Sequence, residues 1–427
     1  FKQKTGYEIR LSLVGSEMCI RDRGYGIYAF AAPNNTIGGN TVGHRNIISA
    51  NQDAGIYLAN VATTGNSIKG NYIGLGSNGN TIIAGSAQDF GVYILLNASA
   101  NTIGGTAAGE GNLISGNNSG VVTTSYGIYS TSAAGNFIYG NIIGPQSNGT
   151  SWLPGNTQGY GIYLSASPNN IIGGNTSQMR NIISANENAG VYLTALASAG
   201  NIIKGNYIGI DISGTTFISG SAQDYGIQFA TSAGGNTVGG LGAGEGNLIS
   251  GNKGITSAFG VYVNVNSSTT PGNNIYGNII GPQYDGINYV AGNSQTHGVY
   301  INVSPNTRVG GNTSAHRNTI SGNESAGVFL TGSGILSKDN FVQGNHIGLD
   351  ITGTSMIAGS TQDYGVYMGT SVRNTTVGGT ATGEGNLISG NKGAVDGYGV
   401  YLFSTATISN LVLGNIIGLQ KDGTMYV

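Results

Sequence analysis

A tripeptide of Gly, a β-branched residue and usually Tyr recurs twelve times along this 427-residue chain. Its glycines are Gly26, Gly55, Gly91, Gly127, Gly161, Gly190, Gly226, Gly260, Gly298, Gly327, Gly365 and Gly399. The intervals run 29, 36, 36, 34, then 29, 36, 34, 38, then 29, 38, 34, so a block of four units repeats three times at about 135 residues. Self-similarity at such a period builds a solenoid or an array, whose units rest only on their neighbours.

Each unit holds three short strand patterns: Gly-Ile-Tyr-Leu as at Gly55, Asn-x-Ile-x-Gly as at Asn66, and Asn-Tyr-Ile-Gly as at Asn71. In odd-numbered units a loop precedes the third strand, as before Asn46-Ile-Ile-Ser49. Gly or Asn stands at nearly every break, and no ten-residue stretch carries a 3.6 periodicity. Three strands per unit, stacked unit on unit, predict a parallel β-helix in which every strand pairs with its equivalents above and below. Alternation places Ile56 and Leu58 inside and Tyr57 outside. Gly and Asn suit the corners because both tolerate left-handed backbone, and stacked Asn side chains can form an amide ladder.

Composition agrees. With 77 Gly and 49 Asn, a helical protein is excluded. A net charge of -2 gives no electrostatic case for nucleic acid or an anionic membrane. One Cys excludes a disulfide framework, and no run of 18 apolar residues spans a bilayer. Residues 1–23 stand apart: they carry 5 of the 16 Lys/Arg, the single Cys19 and no Asn. Ser12 to Arg23 resembles translated sequencing-adapter read-through in metagenomic gene models. The expected plan is therefore a non-native or disordered tail over 1–23 and a single β-helix over 24–427. Gly418 to Val427 parallels Gly281 to Val290, where the unit continues, so a fragment cut in mid-coil is expected.

Asn101-Thr-Ile-Gly-Gly-Thr-Ala-Ala-Gly-Glu-Gly-Asn-Leu-Ile-Ser-Gly-Asn117 and Gly205-Asn-Tyr-Ile-Gly-Ile-Asp-Ile-Ser-Gly-Thr215 resemble the repeats of bacterial right-handed β-helix surface and secreted proteins of the pectate-lyase-like superfamily. The resemblance covers residues 24–427. It implies right-handed coiling and an extracellular or cell-surface location. It does not choose an activity, because polysaccharide lyases, hydrolases, adhesins and tailspikes share the fold.

Residues suited to chemistry are sparse and scattered. Loops at the Gly-Gly sites bear Arg45, Glu110, Arg180, Glu245, Arg317 and Glu384 in alternating sign, two coils or ~9.6 Å apart. This reads as a structural charge ladder more readily than as a groove for an anion or sugar. Asp89, Asp224 and Asp363 lie four coils apart, ~19 Å, beyond the ~5–9.5 Å of a glycosidase pair, and suit turns. Asp211 and Asp350 occupy matching turns. His44 and His316 are eight coils apart, His297 and His346 isolated, so neither a metal site nor any other cofactor is expected. Tyr fills the third tripeptide position at Tyr28, Tyr57, Tyr93, Tyr129, Tyr163, Tyr192, Tyr262, Tyr300, Tyr367 and Tyr401, with Gln228 and Phe329 in the other two. That outward column is the candidate face for a ligand or partner, or else a ladder stabilising its own sheet.

No superrepeat shows a polar cluster of its own, which an enzyme needs. The expectation is a structural or adhesive extracellular solenoid without catalysis, with a polysaccharide or cell-surface glycan as partner and unpaired end strands that invite end-to-end association. The alternative is a polysaccharide lyase or glycoside hydrolase.

Overall fold

The computed structural model describes residues 24–118, 124–254, 257–333, 337–393 and 397–427. The reading of residues 1–23, Cys19 included, concerns residues outside these.

Among the described residues thirty-six strands form three twelve-stranded sheets, each taking every third strand in chain order. All neighbours within a sheet are parallel, as Tyr25–Phe30 is to Ala54–Ala59 and Thr36–Gly38 to Ser67–Lys69. Successive strands of one sheet are joined through the other two, a parallel crossover that is right-handed in nearly all proteins. The chain is thus the right-handed parallel β-helix that the resemblance implies, with twelve coils in three superrepeats. At ~4.8 Å per coil it is about 58 Å long.

The interior is one continuous apolar column. Ile56 and Leu58 of the first sheet, Ile68 of the second and Ile73 of the third have no exposed surface, and their equivalents repeat this coil after coil. Each such side chain contributes about 1.5–3 kcal/mol of burial before entropy.

The tripeptide glycine has a reason of its own. Its backbone is not left-handed; what it lacks is room. A Cβ on Gly161 would stand 2.6 Å from the Gly190 carbonyl oxygen and 2.7 Å from Ile183 Cγ2 of the third sheet. Register passes over this residue, pairing Tyr25 with Ala54 and then Ile27 with Ile56. The break in phase lets the residue before the glycine point outward, although the one after it points into the core.

Corner Asn residues divide into two kinds. Asn34, Asn97 and Asn169 have positive φ, as expected of Asn in tight turns. Those that begin the second and third strands do not, so tolerance of left-handed backbone does not explain them. They build ladders: Asn66 Nδ2 donates to Asn101 Oδ1, Asn101 to Asn136, and Asn71 to Asn112, at 2.9, 3.1 and 3.1 Å. A third ladder alternates residue types, with Asn51 donating to Gln88, Gln88 to Asn117 and Asn117 to Gln158. The buried amides are thereby satisfied along the axis.

Candidate functional site

The outward face of the first sheet carries an aromatic ribbon two residues wide. Tyr57, Tyr93, Tyr129, Tyr163, Tyr192, Tyr262, Tyr300, Tyr367 and Tyr401 are half-buried, and Tyr28 is 55% exposed. A second column comes from the residue before each glycine: Tyr25, Phe90, Tyr126, Tyr160, Tyr225, Phe259, His297, Tyr364 and Tyr398. Strict alternation would have turned this column inward, so only the break of phase at the glycine reveals it. Coils 2, 6 and 10 have Ala54, Ala189 and Ala326 there. In those coils the ring of the first column leans across, with Tyr25–Tyr57 centroids 4.3 Å apart and Tyr160–Tyr192 5.2 Å apart.

Ring centroids along the first column are 5.2 Å apart for Tyr57–Tyr93, 5.1 Å for Tyr129–Tyr163 and 4.7 Å for Tyr163–Tyr192. Gln228 divides the ribbon into two runs. Burial, followed by the neighbouring phenols, pushes the hydroxyls of Tyr93 and Tyr300 up to about 12. The phenols therefore stay neutral over the physiological range and present edges and hydroxyls to whatever lies on the face. His297 stacks on Phe259 at 5.3 Å, and burial holds its imidazole down at about 4.

The Gly-Gly loops behave differently from a row of alternating charges. Glu110 pairs with Lys69 at 2.9 Å and Glu245 with Lys204 at 2.7 Å, lysines that sit on the second sheet one coil on the near side. Each pairing holds the carboxyl below its usual range. Arg45 and Arg180 lie over Tyr72 and Tyr207, 4.0 and 4.1 Å from the ring centres. Arg317 donates from Nε to the Gly344 carbonyl at 3.4 Å. Glu384 accepts from the Ala381 backbone N–H within its own loop. Among the described residues no ion pair joins an Arg of this series to one of its Glu residues.

The histidines at the loop ends, His44 and His316, contact Thr41 and Thr313 through Nδ1 at 3.1 and 2.7 Å. Asp211 and Asp350 accept backbone N–H bonds from Thr215 and Gly353, the work of turn carboxylates. Among the described residues no three of His, Cys, Asp and Glu gather as metal ligands, and no helix is long and apolar enough to cross a membrane.

Two placements correct the expectation of monotony. Asp89 has a carboxylate neighbour after all: Asp53 stands at the equivalent position of the adjacent coil, where Phe90 N–H donates to the Asp53 carbonyl at 2.9 Å. Burial, then the charge of Asp53, pushes Asp89 up to about 6; burial raises Asp53 too, while Tyr25 bonds to it. The Gln52-Asp53 dipeptide before Gly55 was the sequence signal, masked because Ala54 replaces the aromatic residue of Gln88-Asp89-Phe90. Second, the third superrepeat replaces Lys69 and Lys204 by Gln343, and Tyr72 and Tyr207 by His346. His346 is consequently not isolated, since the charges of Arg317 and Lys421 both act on it.

The fold and this face define an aromatic-faced parallel β-helix. Among solved structures the chain is similar to the periplasmic alginate epimerase AlgG, at 14% identity over 82% of this chain and 63% of that one, with a TM-score of 0.31. It is similar also to an alginate lyase from Paenibacillus sp. str. FPU-7, at 13% identity over 85% and 99% of the two chains and a TM-score of 0.25. A hyper-glycosylated TibA fragment matches at 13% identity over 90% and 99%, with a TM-score of 0.20. The chain thus spans 63% of the epimerase's length. No protein-family model and no curated protein matches it. Likeness at this level bears on neither substrate nor chemistry.

Proposed function

We propose that the chain is a structural, adhesive β-solenoid of an extracellular or envelope surface that holds a glycan along its aromatic ribbon. The observation behind this reading is the ribbon itself: half-exposed rings, repeated at the coil spacing over run after run, offer flat apolar area with polar edges, the surface on which sugar rings stack. The loop charges serve the fold in this reading, each met by a lysine, a ring or a backbone group. The test is co-sedimentation with insoluble polysaccharides, comparing the chain with a Tyr129→Ser, Tyr163→Ser variant. Retention that survives in the variant would remove the ribbon as the binding face.

Asp53 and Asp89 support a second reading, glycan cleavage. Carboxylates at equivalent positions of adjacent coils are ~4.8 Å apart by the coil rise, close to the ~5–5.5 Å of a retaining glycosidase. A raised Asp89 beside a second carboxylate is the division of labour that an acid and a nucleophile require. Release of reducing ends from a panel of acidic and neutral glycans, abolished in Asp89→Asn, is the expected outcome; no release from any member sinks this reading and leaves the adhesive one standing.

A further inference from the structure

Between successive Gly-Gly loops the solenoid leaves a recurring cavity, about 360 Å³ beside Arg180, 330 Å³ beside Arg317 and Gly240, and 410 Å³ in the third superrepeat. The last has a lining the others lack. Arg317, His346 and Lys421 converge on it, with Thr380, Thr382 and the glycine-rich backbone of the loop completing the wall. Glu384 curls under its own loop and takes no part in the lining.

Two departures from the earlier superrepeats create this set: His346 stands where they have Tyr72 and Tyr207, and Lys421 where they have Ser147 and Tyr284. Arg45 and Arg180 spend their faces on Tyr72 and Tyr207, whereas His346 replaces that ring in the third copy. The terminal nitrogens of Arg317 have no carboxylate partner among the described residues, and neither has Lys421. His346 is only 3% exposed, and its Nδ1 has no hydrogen-bond partner. Two cations without carboxylate partners beside a buried imidazole are an unfavourable arrangement unless an anion completes it. Burial, then Arg317 and Lys421, hold the imidazole down at about 4.

We propose that this cavity binds one acidic unit of a saccharide, its carboxylate or sulfate held by Arg317 and Lys421 and its hydroxyls by His346 Nδ1, Thr380, Thr382 and the loop backbone. A cavity of this volume lined by backbone and hydroxyl groups, with few convergent charges, suits a small polar ligand. The site lies on the loop side of the second and third sheets, so it stands or falls independently of the aromatic ribbon on the first.

Calorimetry of the full chain with hexuronate, sulfated hexose and neutral hexose tetrasaccharides, and with inorganic sulfate, tests the assignment. The acidic tetrasaccharides bind, the neutral one does not, and Arg317→Gln and Lys421→Gln each weaken binding by at least about tenfold. His346→Tyr restores the ring of the other two superrepeats, so it folds and loses binding; Arg45→Gln leaves affinity unchanged. In the bound state the His346 imidazole, followed by NMR, titrates at higher pH than in the free chain. Equal affinity for acidic and neutral tetrasaccharides, no binding of either acidic one, or affinities untouched by the Arg317 and Lys421 variants would overturn the proposal. Inorganic sulfate binding as tightly as the tetrasaccharides would overturn its saccharide part.

Discussion

Gln88 donates from Nε2 to the side-chain oxygen of Asn117 at 2.7 Å, with both amides fully buried between the third and first sheets. One more carbon in Gln than in Asn lets the ladder keep step where the loops of alternate coils differ in length. Every amide in such a row is donor to one neighbour and acceptor from the other, so removing one leaves two polar groups without partners. Gln158→Leu strands the Asn117 nitrogen and the Asn186 oxygen. Its expected cost is about 2–5 kcal/mol, read as a fall in the urea midpoint; an unchanged midpoint would show that the ladder contributes nothing to stability.

The ladder at the second-sheet corner offers the opposite experiment. Thr307 and Thr375 stand where other coils have Asn, and the Asn340 side-chain nitrogen is buried without a partner. Thr375→Asn places an acceptor on the side toward which each Asn of this row donates, as Asn66 does to Asn101. A gain of about 1 kcal/mol and a higher Tm are expected. Scanning calorimetry decides, and a lower Tm would count against the geometry.

Gly161→Ala tests why the tripeptide begins with glycine. The added methyl group meets the Gly190 carbonyl and Ile183, both fixed by the sheets, so about 1–3 kcal/mol is lost. Gly418→Ala, with open space around its Cβ but φ of +81°, is penalised by its backbone instead. Comparing the two by chemical denaturation separates crowding from handedness.

The ribbon sets an alkaline limit. Tyr93, Tyr126 and Tyr300 have their hydroxyls pushed from 10 up to about 12, by burial first and by neighbouring phenols next. A group raised in the folded state favours folding while protonated, so this contribution is intact below pH 10 and disappears as the pH climbs toward 12. The Tm should fall over that interval, and fall less in Tyr93→Phe. A flat profile between pH 10 and 12 would contradict the burial of these phenols.

Much of this architecture was legible in the residues. The Gly-Ile-Tyr-Leu, Asn-x-Ile-x-Gly and Asn-Tyr-Ile-Gly patterns located three sheets because period-two alternation and fixed spacing act locally, and parallel stacking superimposes equivalent residues. The second aromatic column escaped because it depends on a break of phase at the glycine, where the third sheet crowds the first, and that leaves no mark in alternation. The Gln rungs escaped because they alternate with Asn and the two types stand at different distances from the tripeptide glycine, Gln88 three residues before it but Asn51 four and Asn117 ten. Asp53 and Asp89 each stand two residues before a tripeptide glycine of adjacent coils, so spacing did carry that pair, masked by Ala54 where the next coil has Phe90. The Arg317–His346–Lys421 convergence depends on loops folding back over neighbouring coils, which spacing does not carry.

The two threonines also bear on what happens under load. A pull along the axis strains the joints between coils in series, and a chain of such joints parts at its weakest. In two places, at Thr307 and Thr375, an amide rung is missing while the sheets continue. A tethered molecule drawn apart in an optical trap should therefore yield first within the third superrepeat, making that segment a fuse that gives way while the first eight coils stay wound.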